Sequence, residues 1–291
     1  MDPQSLVRAS QILKPKDFQL KDHDPRDTGS WTDRDKAEEL TKAASDRIGE
    51  LQDRLYAQNR WGVLIILQGM DAAGKDSTIK HVLAGVNPQG CEVRSFKTPS
   101  AEELSHDWLW RTHKAVPERG KLGVFNRSYY EEVLFVRVHP ETLARQKLPE
   151  SCVSEKIWDE RFEDINAFEL FLVRNGYIVL KFFLNMSKEE QRERLLARLE
   201  ELSKNWKFSP DDLAERARWD EYMNAYEQMI RGTSTKHAPW HVIPADRKWY
   251  ARMIISAAIV QAMESLDLQF PALDPAKKKQ IAIIEKSLRQ D

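Results

Sequence analysis

The 291-residue sequence holds only two cysteines, Cys91 and Cys152, and its histidines and cysteines show no metal-ligand spacing. A disulfide framework and a zinc centre are excluded on that count, and so few cysteines fit a reducing compartment. Long hydrophobic runs are missing as well. The longest, such as Val63 to Leu67, fall far short of the roughly 20 residues that a helix needs to cross a membrane. The opening MDPQSLVRASQILKPKDFQL has no continuous apolar core of the kind found in a secretion signal. A cytoplasmic protein with no membrane attachment is expected. Excess charge is also lacking: 45 Lys and Arg against 46 Asp and Glu leave a net charge of −1. A basic coat for nucleic acid is thereby excluded, and any polyanion must meet a local basic groove. No Gly/Ser tract, Gln/Asn tract or internal repeat occurs, and a 41% hydrophobic, 31% charged chain of this length suits one large or two small globular domains.

What is present is an alternation of helical and strand patterns. Residues 1–30 are polar, carry three prolines and read as an arm, lying on the body or partly mobile. From Thr32, a plausible N-cap, Ala37, Leu40, Ala44, Ile48, Leu51 and Leu55 recur at helical spacing. VLIILQ then reads as a buried parallel strand, followed by a glycine-bounded loop and the helix DSTIKHVLAGV. The rhythm continues through CEVRSF (strand), AEELSHDWLWRTHKAV (helix), KLGVFN (strand) and SYYEEVLFVRV (helix). After a polar excursion from Pro140 to Ser154 come a helix closing at Gly176, the strand YIVLKFFLN, a helical hairpin, the strand WHVIPAD and a last helix. The hairpin opens with a capping box, Ser187 and Glu190, and its second helix is expected over DDLAERARWDEYMNAYEQMIRGT. This predicts a three-layer α/β/α fold around a parallel sheet, spanning 31–271, with a helical lid at about 187–231 and a tail at 272–291. The tryptophans, among them Trp206, Trp219 and Trp240, are expected to pack in the core.

The loop after the first strand, GMDAAGKDS, matches G-x-x-x-x-G-K: Gly69 and Gly74 bracket Met70, Asp71, Ala72 and Ala73, and Lys75 follows. Backbone N–H groups of such a loop and its lysine hold phosphates at a helix N-terminus. Two acids break the usual pattern. Asp71 lies inside the loop and Asp76 stands where Ser or Thr is common. Carboxylates beside phosphate repel unless cations intervene, and hard oxygen ligands suit Mg²⁺, with Mn²⁺ as a substitute.

The blocks GMDAAGKD, SFKTPSAEELSHDWLWR, GVFNRSYYEEV, NWKFSPDDL and APWHVIPADRKWY, in this order over roughly Lys36 to Pro271, resemble polyphosphate kinase family 2, within the P-loop kinases. The resemblance implies transfer of a terminal phosphoryl group from inorganic polyphosphate to a nucleoside diphosphate, with AMP and GDP as further acceptors. It implies Asp71 as the metal-linked catalytic aspartate and Lys75 as the phosphate-binding lysine. Where the family commonly has Asp-Arg-Ser, this chain has Asn126-Arg127-Ser128; Asn keeps a carbonyl oxygen but no charge. Some members share this Asn, and the chain is read as resembling those that accept monophosphates as well as diphosphates. Arg127, at a strand end, is assigned to catalysis and, with Asn126, Tyr130 and Glu131, to the nucleotide. Arg194 and Arg198, one helical turn apart, and Lys207 in the turn of the hairpin are assigned to a lid over the phosphates; Lys80 and Lys97 are assigned to a channel for the chain. Arg247 and Lys248 follow the last strand, where related kinases build part of a nucleotide pocket. A dimer or tetramer is expected. The rival readings are an ATP-dependent nucleotide kinase and a non-catalytic polyphosphate-binding regulator.

Overall fold

Val63, Leu64 and Ile66 are wholly buried, each such side chain contributing about 1.5–3 kcal/mol by leaving water. They place β1 (Gly62–Gln68) at the centre of the sheet in a computed structural model that describes residues 3–290. β2 (Cys91–Ser95), β3 (Leu122–Asn126), β4 (Tyr177–Asn185) and β5 (Trp240–Pro244) complete it. All pairings are parallel, in the order β2-β3-β1-β4-β5, with Ile65 level with Val124 on one side and Leu180 on the other. The connection after β1 runs toward β2 and that after β4 toward β5, which leaves a crevice at the carboxyl ends of the central strands.

Helices cover both faces. α1 (Pro3–Ser10) belongs to the N-terminal arm, and α2 (Arg34–Gln58) and α3 (Lys75–Val82) lie on one face. α4 (Trp110–Ala115) and α5 (Phe135–Val138) are short; α6 (Ile157–Arg174) covers the opposite face. The hairpin comprises α7 (Lys188–Glu200), α8 (Leu202–Asn205), α9 (Asp211–Ala217) and α10 (Trp219–Thr233); α11 (Lys248–Glu264) packs beside α2, and α12 (Pro275–Leu288) ends the chain.

The expected elements stand, with local corrections. α2 is capped by Asp33, whose carboxylate accepts from the Lys36 N–H at 2.9 Å, rather than by Thr32. The stretches read as helices at 101–116 and 128–138 are instead 3₁₀ turns, Glu103–Ser105 and Tyr129–Glu132, followed by α4 and α5. In the first, the Asp107 carboxylate accepts from the Leu109 N–H at 3.0 Å; in the second, the Ser128 hydroxyl takes the Tyr130 N–H at 3.1 Å. Such short polar side chains offer the backbone an alternative to helix. The returning helix of the hairpin breaks at Arg218, and α10 buries Trp219, Tyr222, Tyr226, Met229 and Ile230. α10 is therefore part of the body, and only α7–α9 overhang the crevice.

Residues 3–27 dock on the body. Leu6, Val7, Ile12, Phe18 and Leu20 are buried, Gln11 bridges His241, and the Ile12 N–H donates to the Trp240 carbonyl at 2.9 Å. The arm thus covers the edge of β5, which would otherwise offer unpaired backbone groups. The tail at 272–291 contains α12, which buries none of its residues. Trp240 and Trp219 are core residues as expected, whereas Trp206, 77% exposed on the overhang, is not. Among the described residues no helix is long and apolar enough to cross a membrane.

Candidate active site

The phosphate loop is shaped by backbone conformations that few residues adopt. Gly74 (φ 105) turns the chain into α3, and a Cβ on Gly69 (φ 153) would stand 3.0 Å from the Leu184 carbonyl oxygen. Ala72 (φ 66) and Arg127 (φ 62) are also left-handed, at roughly 1–2 kcal/mol each. Arg127 is fixed there by its N–H, which donates to the Leu67 carbonyl at 3.1 Å. The end of β3 is thereby tied to the end of β1, and the Arg127 guanidinium meets the Asp71 carboxylate in an ion pair.

Lys75 opens α3 and is buried; its ammonium donates to the carbonyls of Gly69 at 2.6 Å and Met70 at 3.1 Å. Burial and the Arg127 charge lower its pKa to about 8, against the opposing pull of Asp71, Glu131 and Asp76. Burial raises the Asp71 carboxyl, but Arg127 and Lys75 outweigh burial and hold it below the ordinary carboxylate value. Glu131 and then Asp71 keep the Arg127 guanidinium firmly protonated, against the effect of burial. Asp76 is exposed; Asn126 Nδ2 donates to its Oδ1 at 2.6 Å, and the Lys207 ammonium lies 3.6 Å from its Oδ2.

These groups face one cavity of about 670 Å³, lined also by Ser77, Phe96, Lys97, Thr98, Arg198, Lys204 and Lys248. Of the residues expected from sequence, Asp71, Ala72, Gly74, Lys75, Asp76, Lys97, Asn126, Arg127, Arg194, Arg198 and Lys207 line it, and Gly69 and Ala73 complete the loop. Others stand elsewhere. Lys80 is exposed outside the cavity. Tyr130 is fully buried, its hydroxyl donating to Glu169 at 2.6 Å beside Lys181, so it is a core residue and not a nucleotide ligand. Glu131 lies beneath Arg127 and accepts from Gln68 Nε2 at 3.2 Å. Arg194 borders the cavity with its guanidinium already engaged: it donates to Glu190, to the carbonyls of Ala72 and Ala73, and to those of Ala245 and Asp246. It clasps the phosphate loop to the turn after β5, leaving no donor for phosphate.

Sequence reasoning missed Gln191, whose Nε2 donates to the Asp71 carbonyl at 3.1 Å; its place three residues before Arg194 on α7 was the available signal. It also missed Tyr226, buried among Gly69, Asp71, Arg127 and Glu131, and Asp212, which pairs with Arg198 at 2.8 Å.

The acids of the loop invited a metal on the ground that nothing else would neutralise them. The structure changes that premise, because Arg127 already stands on Asp71 and Lys207 beside Asp76. Among the described residues no group of three or more His, Cys, Asp or Glu forms a cage for a metal. The donor set still fits Mg²⁺, which characteristically takes one or two carboxylates and completes its shell with water and substrate phosphates. Asp71, through its Oδ2, and Asp76 are the carboxylates that would hold it.

Residues 30–271 match the family model described as Polyphosphate kinase 2 (PPK2). The chain is 47% identical over 285 residues to an ADP-polyphosphate phosphotransferase of Rhodopseudomonas palustris, covering 95% of this chain and 99% of that protein. It is 44% identical over 263 residues to an AMP/ADP-polyphosphate phosphotransferase of Meiothermus ruber, covering 90% and 94%. Its fold superposes on the crystal structure of a polyphosphate kinase 2 from Arthrobacter aurescens with a TM-score of 0.86 at 39% identity, over 96% of each chain. With this loop, this sheet order and these matches, the chain belongs to the polyphosphate kinase 2 family.

Proposed function

We propose that the chain transfers the terminal phosphoryl group of inorganic polyphosphate to ADP, and to AMP as a second acceptor, in a reversible, Mg²⁺-dependent reaction. One observation carries the reading: seven cationic side chains, Lys75, Lys97, Arg127, Arg198, Lys204, Lys207 and Lys248, converge on a single cavity over a phosphate loop. So much positive charge suits two polyanions meeting end to end. The named activities of the relatives in Rhodopseudomonas palustris and Meiothermus ruber support it.

In the reaction an oxygen of the acceptor's terminal phosphate attacks the terminal phosphorus of the chain. One phosphoanhydride bond forms, the bond to the next phosphate breaks, and the shortened chain leaves with the electron pair. Bonds of the same kind are made and broken, so the reaction runs in both directions. The protein's part is positioning and neutralisation. Lys75 exchanges the carbonyls of its own loop for phosphate oxygens. The fork of Arg127, aligned by Asp71 and by its fixed backbone, suits the equatorial oxygens of the transferred group. Asp71 and Asp76 would hold Mg²⁺, which supplies further neutralisation of the phosphate oxygens when bound. Arg198, Lys204 and Lys207 on the overhang bring charge from above and exclude water, which would otherwise take the phosphoryl group.

Initial rates with AMP, ADP, GMP and GDP, each with long-chain polyphosphate and Mg²⁺, test the acceptor assignment. ADP and AMP are both expected to turn over, with the diphosphate the faster acceptor; no turnover of AMP, or of ADP, contradicts it.

A further inference from the structure

Three successive carbonyls of the phosphate loop are held by one helix. On α7, Gln191 Nε2 donates to the Asp71 carbonyl at 3.1 Å, and Arg194 donates to the carbonyls of Ala72 at 3.1 Å and Ala73 at 2.9 Å. Gln191 is buried and lies outside the lining of the transfer cavity. A trans peptide points its C=O and its N–H in opposite directions. A donor on the Asp71 carbonyl therefore turns the Ala72 N–H away from Gln191, toward the cavity that Ala72 lines. The Ala73 N–H closes a turn onto the Met70 carbonyl at 3.1 Å, whereas the Ala72 N–H has no partner among the described residues. It is a donor held ready for an anion, on a residue in the left-handed conformation (φ 66).

Which end of the Gln191 amide faces the loop is decided from the other side. An amide can offer either a donor or an acceptor, and the flipped amide would set Oε1 against the Asp71 carbonyl. A guanidinium only donates. Arg216 Nη1 donates to Gln191 Oε1 at 2.9 Å, and to the Lys188 carbonyl at 2.6 Å. With Oε1 taken, Nε2 is left for Asp71. Arg216 stands on α9, the last helix of the overhang, whose Asp212 pairs with Arg198 of the cavity at 2.8 Å. One amide thus joins the overhang to the peptide that follows Asp71.

Building on the proposed function, we infer that Gln191 is a positioning residue of the transfer reaction: it orients the Asp71–Ala72 peptide so that the Ala72 N–H meets a phosphate oxygen of the donor chain. Arg216 acts through it, by fixing the direction of the amide. Neither side chain touches the transferred phosphoryl group.

The test uses the full chain and the variants Gln191→Met, Gln191→Glu, Arg216→Met, Arg216→Lys and Gln191→Met/Arg216→Met. The KM values for long-chain polyphosphate and for ADP are measured at a temperature at which circular dichroism shows every variant folded. Gln191→Met removes the amide at similar length, and Gln191→Glu keeps the acceptor used by Arg216 while removing the donor. Each is expected to raise the KM for polyphosphate about tenfold, the scale of one hydrogen bond to a charged group, with the KM for ADP within twofold. A merely structural defect would lower the fraction of active protein and move neither KM. Arg216→Met should raise the KM for polyphosphate about threefold to fivefold. Arg216→Lys keeps a donor and should stay within twofold of wild type. The double variant should match Gln191→Met within twofold, because a residue that acts through another adds nothing once that one is gone. An unchanged KM for polyphosphate in the Gln191 variants, an equal rise in the KM for ADP, failure of Arg216→Lys to keep the wild-type value, or multiplied losses in the double variant overturns the inference. The proposed function fails separately, if the wild-type protein forms no ATP from ADP and polyphosphate.

Discussion

Lys75 is a cation buried beside another cation, and that has a cost which the ligand-free protein carries. Its folded pKa, about 8, lies below the ordinary 10.5. Below pH 8 the ammonium is charged in both folded and unfolded chains and the whole penalty is present; it fades as pH rises from 8 to 10.5. Lys75→Met is therefore expected to raise the stability of the ligand-free protein at pH 7, by about 3 kcal/mol at most. The same change should lower turnover by roughly 10²–10³-fold. Thermal melts between pH 7 and 10.5 check the first outcome and initial rates the second; a variant less stable than wild type at pH 7 contradicts the account. Tyr130 makes the opposite case. Its motif position suggested a nucleotide ligand, but the hydroxyl serves Glu169 and Lys181 in the core. Tyr130→Phe should leave the KM for ADP within twofold and cost about 1–3 kcal/mol in denaturant melts, because a buried carboxylate loses a donor. Spacing placed Asp71, Lys75 and Arg127 in one site because strand ends and the loop fix them. It did not separate Tyr130 from them, since side-chain direction in a 3₁₀ turn is set by its Ser128 cap and not by a period.

At the scale of elements, β1 and β4 were legible because buried parallel strands are continuous apolar runs, and α2 because its apolar face repeats over 25 residues. The short helices were not, because Asp107 and Ser128 draw off the N–H groups that a continuous helix would use. The docking of the arm was equally hidden: it depends on Ile12, Phe18 and Leu20 meeting residues over 200 positions away, as in the 2.7 Å bond from the Ser234 hydroxyl to the Ile12 carbonyl. One contact of the arm carries a pH dependence. His241, buried on β5, pairs with Ser10 at 2.9 Å, and burial lowers its pKa to about 4 from the ordinary 6.5. A depressed folded pKa contributes stability that is present above pH 6.5 and lost as pH falls through 4. The loss from this group should reach roughly 3 kcal/mol across that window. His241→Asn is expected to flatten the stability profile between pH 6.5 and 4 in chemical denaturation; an unchanged slope contradicts the assignment.

For the molecule as a whole, the alternation of strands and helices led to a three-layer parallel fold, and the sheet order β2-β3-β1-β4-β5 carries it through. That order brings the ends of β1 and β3 together, so residues far apart in sequence, such as Asp76 and Asn126, 50 positions apart, act in one cavity. Position along the chain could not show that the overhang stops at Ala217, which depends on how α7 and α10 pack. The claim on which the rest depends is that the chain moves a phosphoryl group from inorganic polyphosphate to a nucleotide. It is tested most directly by ATP formation from ADP, long-chain polyphosphate and Mg²⁺ with no other donor, comparing wild type with Asp71→Asn. The account predicts ATP formation by wild type and a rate reduced by about 10²-fold or more in the variant, because Arg127 loses its ion partner and the proposed Mg²⁺ site one of its carboxylates. No ATP from folded wild-type protein, or equal rates from both proteins, would contradict it.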